Sequence, residues 1–204
     1  MRRFVLSLIA VLMAAGLYAQ DKTLRVDYIF SGTDKATEIS LERLYSFDGW
    51  AGRRTNTDSV PVKGNGQISM TDAVTGEIIY MHSFSTLFQE WKTTEEAVSL
   101  RKAFENTFLL PMPTSRSIVK VELYDFFGNV CASLKHVVDP EDILIRHMTP
   151  EPPAHRYLLR SGSPQEKIDV AIVAEGYTAD EMDSFYEHAQ TAVADLVDAP
   201  CLFV

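Results

Sequence analysis

Positive charge is scarce in this 204-residue chain, where 19 Lys and Arg stand against 28 Asp and Glu for a formal charge of −9. A surface of that sign repels phosphate backbones, and no basic stripe offsets it, so nucleic-acid partners are not expected. Cysteine is scarcer still. Cys131 and Cys201 are the only two, too few for a disulfide scaffold and without the paired spacing of a zinc site. The five histidines, His82, His136, His147, His155 and His188, are isolated, and none has a His four residues on with Glu after the first. HExxH, the helical zinc signature, is therefore missing. No GxSxG surrounds a serine, which removes the nucleophile-elbow hydrolases. Gly-rich phosphate loops are missing too: "AEGYTADE" has one glycine, and its Glu175 would repel a phosphate.

Long apolar runs are also lacking. The stretch Phe4–Ala15 spans 12 residues, short of the roughly 20 that cross a bilayer. With Arg2 and Arg3 before it and the small residues of "GLYAQ" after it, residues 1–19 read as a cleaved signal peptide. The protein is expected to be secreted, periplasmic or at the cell surface, with no membrane span after cleavage. No Cys follows the cleavage region, so lipid attachment is not suggested. Cleavage removes two arginines and no acid, which leaves 17 basic residues against 28 acidic ones and a charge of −11. Export would permit Cys131 and Cys201 to pair, but each reads better as a small buried hydrophobe.

The mature chain opens with period-two alternation. Leu24, Val26, Tyr28 and Phe30 suit the buried face of a strand, and "EISLERLYSF" suits a second one that ends at "DGWAG". Strands are expected at 67–70 and 77–84 about a turn made by Asp72 and Gly76. The clearest hairpin joins 118–124 to 130–138 through "DFFGN". "TTEEAVSLRKAFENTF" stays open between a short helix and a loop that ends in a strand at 107–110; Pro111 and Pro113 close either element. Short strands at regular spacing argue a mainly β fold, an antiparallel β-sandwich over residues 22–142.

Four prolines within 149–164 make a semi-rigid connector, and residues 143–166 are read as a linker. Past it the pattern changes. "IDVAIVAEG" is apolar nearly throughout, as in a strand covered on both faces. "TADE" matches a capping box, with Thr178 and Glu181 serving each other's backbone and Gly176 making the turn. Met182, Phe185, Tyr186, Ala189, Val193, Leu196 and Val197 then line one face of a helix. Residues 167–204 thus read as an incomplete α/β unit, strand, turn and helix. Its uncovered apolar face is expected to make it protease-sensitive while residues 22–142 resist.

No residue qualifies as catalytic, and none forms a metal site. His147 and His155 flank the connector as loop histidines, and "DPED" at 139–142 reads as a solvated turn because it lacks the alternating ligands of a calcium loop. Trp50, Trp91, Tyr80 and Tyr124 could stack on a sugar, although aromatic residues in a strand-rich domain usually belong to the core.

The segments "LYSFDGWAGRR", "SFSTLFQEW", "TTEEA", "AFENTFLLP" and "VELYDFFGN" resemble the N-terminal β-sandwich domain of the bacterial IgA peptidase family of secreted zinc metallopeptidases. "IDVAIVAEGYTADEMDSFYEHA" resembles the opening of that family's catalytic domain. The resemblance implies a HExxH helix with two His on zinc and Glu activating water, at positions that would fall after Val204. The chain is therefore expected to be an N-terminal accessory portion, inactive alone, with no cofactor of its own and zinc only in a complete member. Of the catalytic-domain start, Glu175, Gly176, Tyr177 and Thr178 match. Gly176, Thr178 and Glu181 carry structural roles, and Tyr177 a place on the substrate rim. The implied partners are the missing catalytic region or, if the sandwich acts alone as a binding module, an extracellular protein or glycan.

Overall fold

A computed structural model of the chain describes residues 22–163 and 167–198. The expected signal peptide and Cys201 lie outside the described residues. The chain divides into two compact units, one ending at Pro150 and the other starting at Glu151.

The first unit is mainly β and forms a sandwich. Strands β1 (Lys22–Gly32) and β2 (Thr37–Asp48) make one hairpin; β3 (Gly66–Asp72) and β4 (Ile78–Phe84) make another. β5 (Lys102–Pro111), β6 (Ser117–Tyr124), β7 (Val130–Val138) and the two-residue β8 (Arg146–His147) complete the set. The sheets run β5-β1-β2-β8 and β4-β3-β6-β7, antiparallel except where β8 pairs with β2. The period-two reading of β1 holds, because Leu24, Val26, Tyr28 and Phe30 are all fully buried. They meet Phe108 and Leu110 of β5, Ile68 and Met70 of β3, and Val119, Val121 and Leu123 of β6 in one core.

Local chemistry fixes the two tight turns. The Asp72 carboxylate accepts the amides of Val74 and Thr75, each at 2.8 Å, and Gly76 takes a φ of 76°. Those bonds, the Thr75 amide first, pull the Asp72 carboxyl down to about 2. Asp125 plays the same part between β6 and β7, accepting from Phe127 and Asn129, with Gly128 at φ 82°.

Four local features differ from the sequence reading. The ambiguous run 93–108 is both alternatives in turn. α2 (Glu95–Ser99) is a single turn that buries Ala97, and β5 begins only three residues later, at Lys102. Phe104 leaves its helical phase because it pairs opposite Phe30 on β1. α1 (Leu87–Trp91), capped by Thr86, was not foreseen; it exists to bury Phe88 completely and to set Trp91 against Phe88 and Phe104. Cys131 is exposed rather than buried, because the alternation of β7 turns Ala132, Leu134 and His136 inward and Cys131 outward. β8 lies in the stretch read as linker, where the Met148 amide also bonds the Ser46 carbonyl at 2.8 Å.

In the second unit residues 151–163 have neither helix nor strand. The expected strand at 168–175 forms no ladder: among the described residues it has no neighbour to pair with, and Ile168, Val170 and Val173 are exposed. A 3₁₀ turn (Ala179–Glu181) leads into α3 (Met182–Asp198), which buries Phe185 and Ala189. Among the described residues no helix is long and apolar enough to cross a membrane.

Candidate functional site

The turn before α3 gathers every site residue singled out from sequence. Gly176 has φ 79° and open space where a Cβ would stand, so its requirement is one of backbone conformation alone. Thr178 is extended, with φ −80° and ψ 168°, as an N-cap must be. The Glu181 carboxylate accepts the Thr178 amide at 2.9 Å and its hydroxyl at 2.8 Å, and the Glu181 amide returns to the Thr178 carbonyl at 3.1 Å. The Thr178 amide is the main reason that the Glu181 carboxyl lies below its ordinary value.

Tyr177 immediately precedes the cap. Its hydroxyl meets His188 Nδ1 at 2.9 Å, and its ring stands edge-on to buried Phe185 at 5.3 Å. In the sequence His188 is one of five isolated histidines. The missed signal is phase, because residues 185 and 188 share one stripe of α3 and the N-terminal turn lays Tyr177 over it. A hydroxyl bonded to an imidazole can pass a proton, but the described residues put no third group on His188 to orient it. The geometry holds the tyrosine ring in place; it does not assemble a nucleophile. Glu175, the other matched residue, is exposed, and its amide turns back to the Val173 carbonyl at 3.1 Å.

The described residues do not fit zinc, since no three of their His, Cys, Asp or Glu side chains are grouped to hold a metal. In the "DPED" turn the carboxylates of Asp139 and Asp142 accept the amides of Glu141 and Leu144, and Arg116 lines the same shallow surface. That is the solvated turn the spacing predicts.

The aromatic platform is not present on the sandwich. Trp50 and Tyr80 are buried edge to face at 5.4 Å. Trp91 is wedged against Phe104 and gives its Nε1 proton to Glu96 at 2.7 Å. Tyr124 is half-buried, with its hydroxyl on Glu122 at 3.3 Å. The exposed aromatic side chains among the described residues of the sandwich are instead Phe126 and Phe127, 98% and 86% exposed at the β6–β7 tip. "DFFGN" showed them as turn residues, yet two adjacent phenylalanines that a turn does not need are themselves a surface signal.

Polar groups also lie inside the sandwich, Tyr28 and Asn65 among them. The Tyr28 hydroxyl meets His136 Nε2 at 2.6 Å, and burial raises the tyrosine and lowers the histidine. Asn65 accepts Gln89 Nε2 at 2.7 Å and the Tyr124 amide at 2.9 Å on its backbone carbonyl, while its buried Oδ1 has no partner among the described residues.

No curated protein matches the chain. A family model described as the peptidase M64 N-terminus matches residues 16–135, from before β1 to within three residues of the end of β7, leaving residues 168–189 outside the match. Since that covers more than half of the sequence and coincides with the sandwich, the chain belongs to the peptidase M64 N-terminus family.

Proposed function

We propose that the chain is the accessory N-terminal region of a secreted zinc metallopeptidase of the IgA peptidase type. The family match over residues 16–135 carries this reading, because it assigns the sandwich to the N-terminal side of a peptidase. Residues 1–19 direct export, the sandwich precedes the catalytic region, and the capped turn at Gly176, Tyr177 and Thr178 begins it. Peptide hydrolysis then belongs to zinc-binding residues outside the described chain, and Tyr177 borders the substrate once that region is in place. The gene decides it. Reading frames that run past Val204, continuous or shifted, and encode HExxH support the proposal; their absence refutes it. The purified chain is expected to show no metal-dependent cleavage of casein, and such cleavage would overturn the accessory role.

A second reading is favoured by the exposed Phe126 and Phe127. Here the sandwich itself binds an extracellular protein or glycan through the β6–β7 tip. Binding in a pull-down or on a glycan array that is lost in F126A/F127A supports it, and binding unchanged by that double substitution sinks it.

A further inference from the structure

We propose that the peptide bond between Arg160 and Ser161 is a processing site, cut by an endopeptidase with a trypsin-like preference for arginine. Such an enzyme takes its substrate as an extended segment, hydrogen-bonded through the backbone, so the segment must be free of competing partners. Residues 157–163 meet that condition. They belong to a run without helix or strand, and Tyr157, Leu159, Arg160, Ser161 and Gly162 are exposed. Among the described residues no backbone hydrogen bond between main-chain groups involves residues 154–162.

The side chains select this bond over its neighbours. The Arg160 guanidinium lies 3.7 Å from the Tyr157 ring centroid, a contact local to the exposed run that the side chain gives up on entering an arginine pocket. Ser161 and Gly162 follow, small residues that crowd nothing, and the next proline is four residues away at Pro164. Arg156 shares the exposed run, but its guanidinium lies over Tyr186 of α3 at 5.2 Å and bulky Tyr157 follows it. The Lys167 amide is tied to the Ser163 carbonyl at 3.0 Å.

Several cationic residues of the sandwich are better guarded, although Lys35, Lys63 and Arg116 are exposed outside its strands. Arg25, Arg43, Lys120 and Lys135 lie within strands. In the one long loop, Arg53 donates to the Met81 carbonyl at 2.7 Å and Arg54 to the Trp50 carbonyl at 2.9 Å.

The reaction is hydrolysis with water as the only co-reactant. The C–N bond breaks, the water oxygen ends on the Arg160 carboxylate, and a proton goes to the Ser161 nitrogen. The sandwich leaves with a tail through Arg160, and the other product starts at Ser161 and carries the Tyr177 turn with α3. This separation needs no zinc and stands whether or not a catalytic region follows.

The test is limited trypsinolysis of the full chain, read by intact mass. The first product pair is expected to split at Arg160, and R160Q is expected to slow that cut at least about 100-fold, because an arginine pocket rejects an uncharged side chain. A first cut at any other Lys or Arg, among them Lys35, Arg53, Arg54, Lys63, Arg116, Arg156 and Lys167, resistance throughout, or an unchanged first cut in R160Q overturns the proposal. Protein recovered from its own cells is expected to include chains that start at Ser161. Only chains intact across residue 160 would refute processing in the cell.

Discussion

Replacing Tyr28 by Phe removes one oxygen atom from the centre of the sandwich and leaves the ring in place. That oxygen meets His136 Nε2 at 2.6 Å, and Tyr28 is fully buried. The ring keeps its contacts with Phe30 and Phe108, at centroid distances of 6.3 and 5.9 Å, so no cavity opens. What is lost is one hydrogen bond. Because His136 is only half-buried, water can reach the freed nitrogen, which puts the cost at the low end of the range, about 1 kcal/mol. With a urea slope of about 2 kcal/mol per molar, the unfolding midpoint falls by about 0.5 M. The pH response separates this bond from burial. Burial lowers the folded-state pKa of His136, so below the ordinary histidine value of about 6.5 the unfolded chain binds more protons than the folded one. Stability is therefore full above that value and declines as the pH drops below it. His82, lowered by burial and then by Arg53, adds a decline of the same sign. Y28F keeps the decline, H136L reduces it, and H82L/H136L reduces it further. Urea titrations between about pH 7 and about pH 5 test all four proteins. A neutral Y28F, or an H136L with the full decline, would refute the reasoning.

Phe30→Ala empties the middle of the core, where the ring touches Tyr28, Phe84 and Phe108, and is expected to cost about 3–5 kcal/mol in urea unfolding; under 1 kcal/mol would show a core that collapses freely. Gly128→Ala meets no atom within 4 Å, so its cost is the φ of 82° alone, about 1–2 kcal/mol by the same assay, and a neutral result would mean that the turn can change type. Glu181→Ala removes the acceptor of the Thr178 amide and hydroxyl, and is expected to speed amide hydrogen exchange in the first turn of α3 by about fivefold or more, with the sandwich amides unchanged.

What was legible depended on whether a residue's partners lie near it in sequence. The β1 alternation, the Asp72–Gly76 turn and the "DFFGN" hairpin each carry their own chemistry, and each stands where the pattern put it. The Thr178–Glu181 cap is equally local. α1 was invisible because five residues are too few for a period, and its reason for folding is the site where Phe88 is buried. Cys131 was misplaced because one position of register turns a side chain from core to solvent. For 168–175 composition described a preference, while a strand is a relation that requires a second strand. The Tyr177–His188 contact sat between these cases, open to helical phase but not to motif search.

β1 pairs with β2 a few residues on, but its other edge pairs with β5, from Thr23 opposite Pro111 to Gly32 opposite Lys102. Time enters through that distance. The first strand made cannot bury its second edge until the ribosome has supplied five of the eight strands, and closing so long a loop precedes any gain from the contacts. Folding is therefore expected to be slow, and to begin in earnest only after residue 111 has emerged. An edge left open for that long keeps the N-terminal strand uncommitted while the strands that follow are still being made.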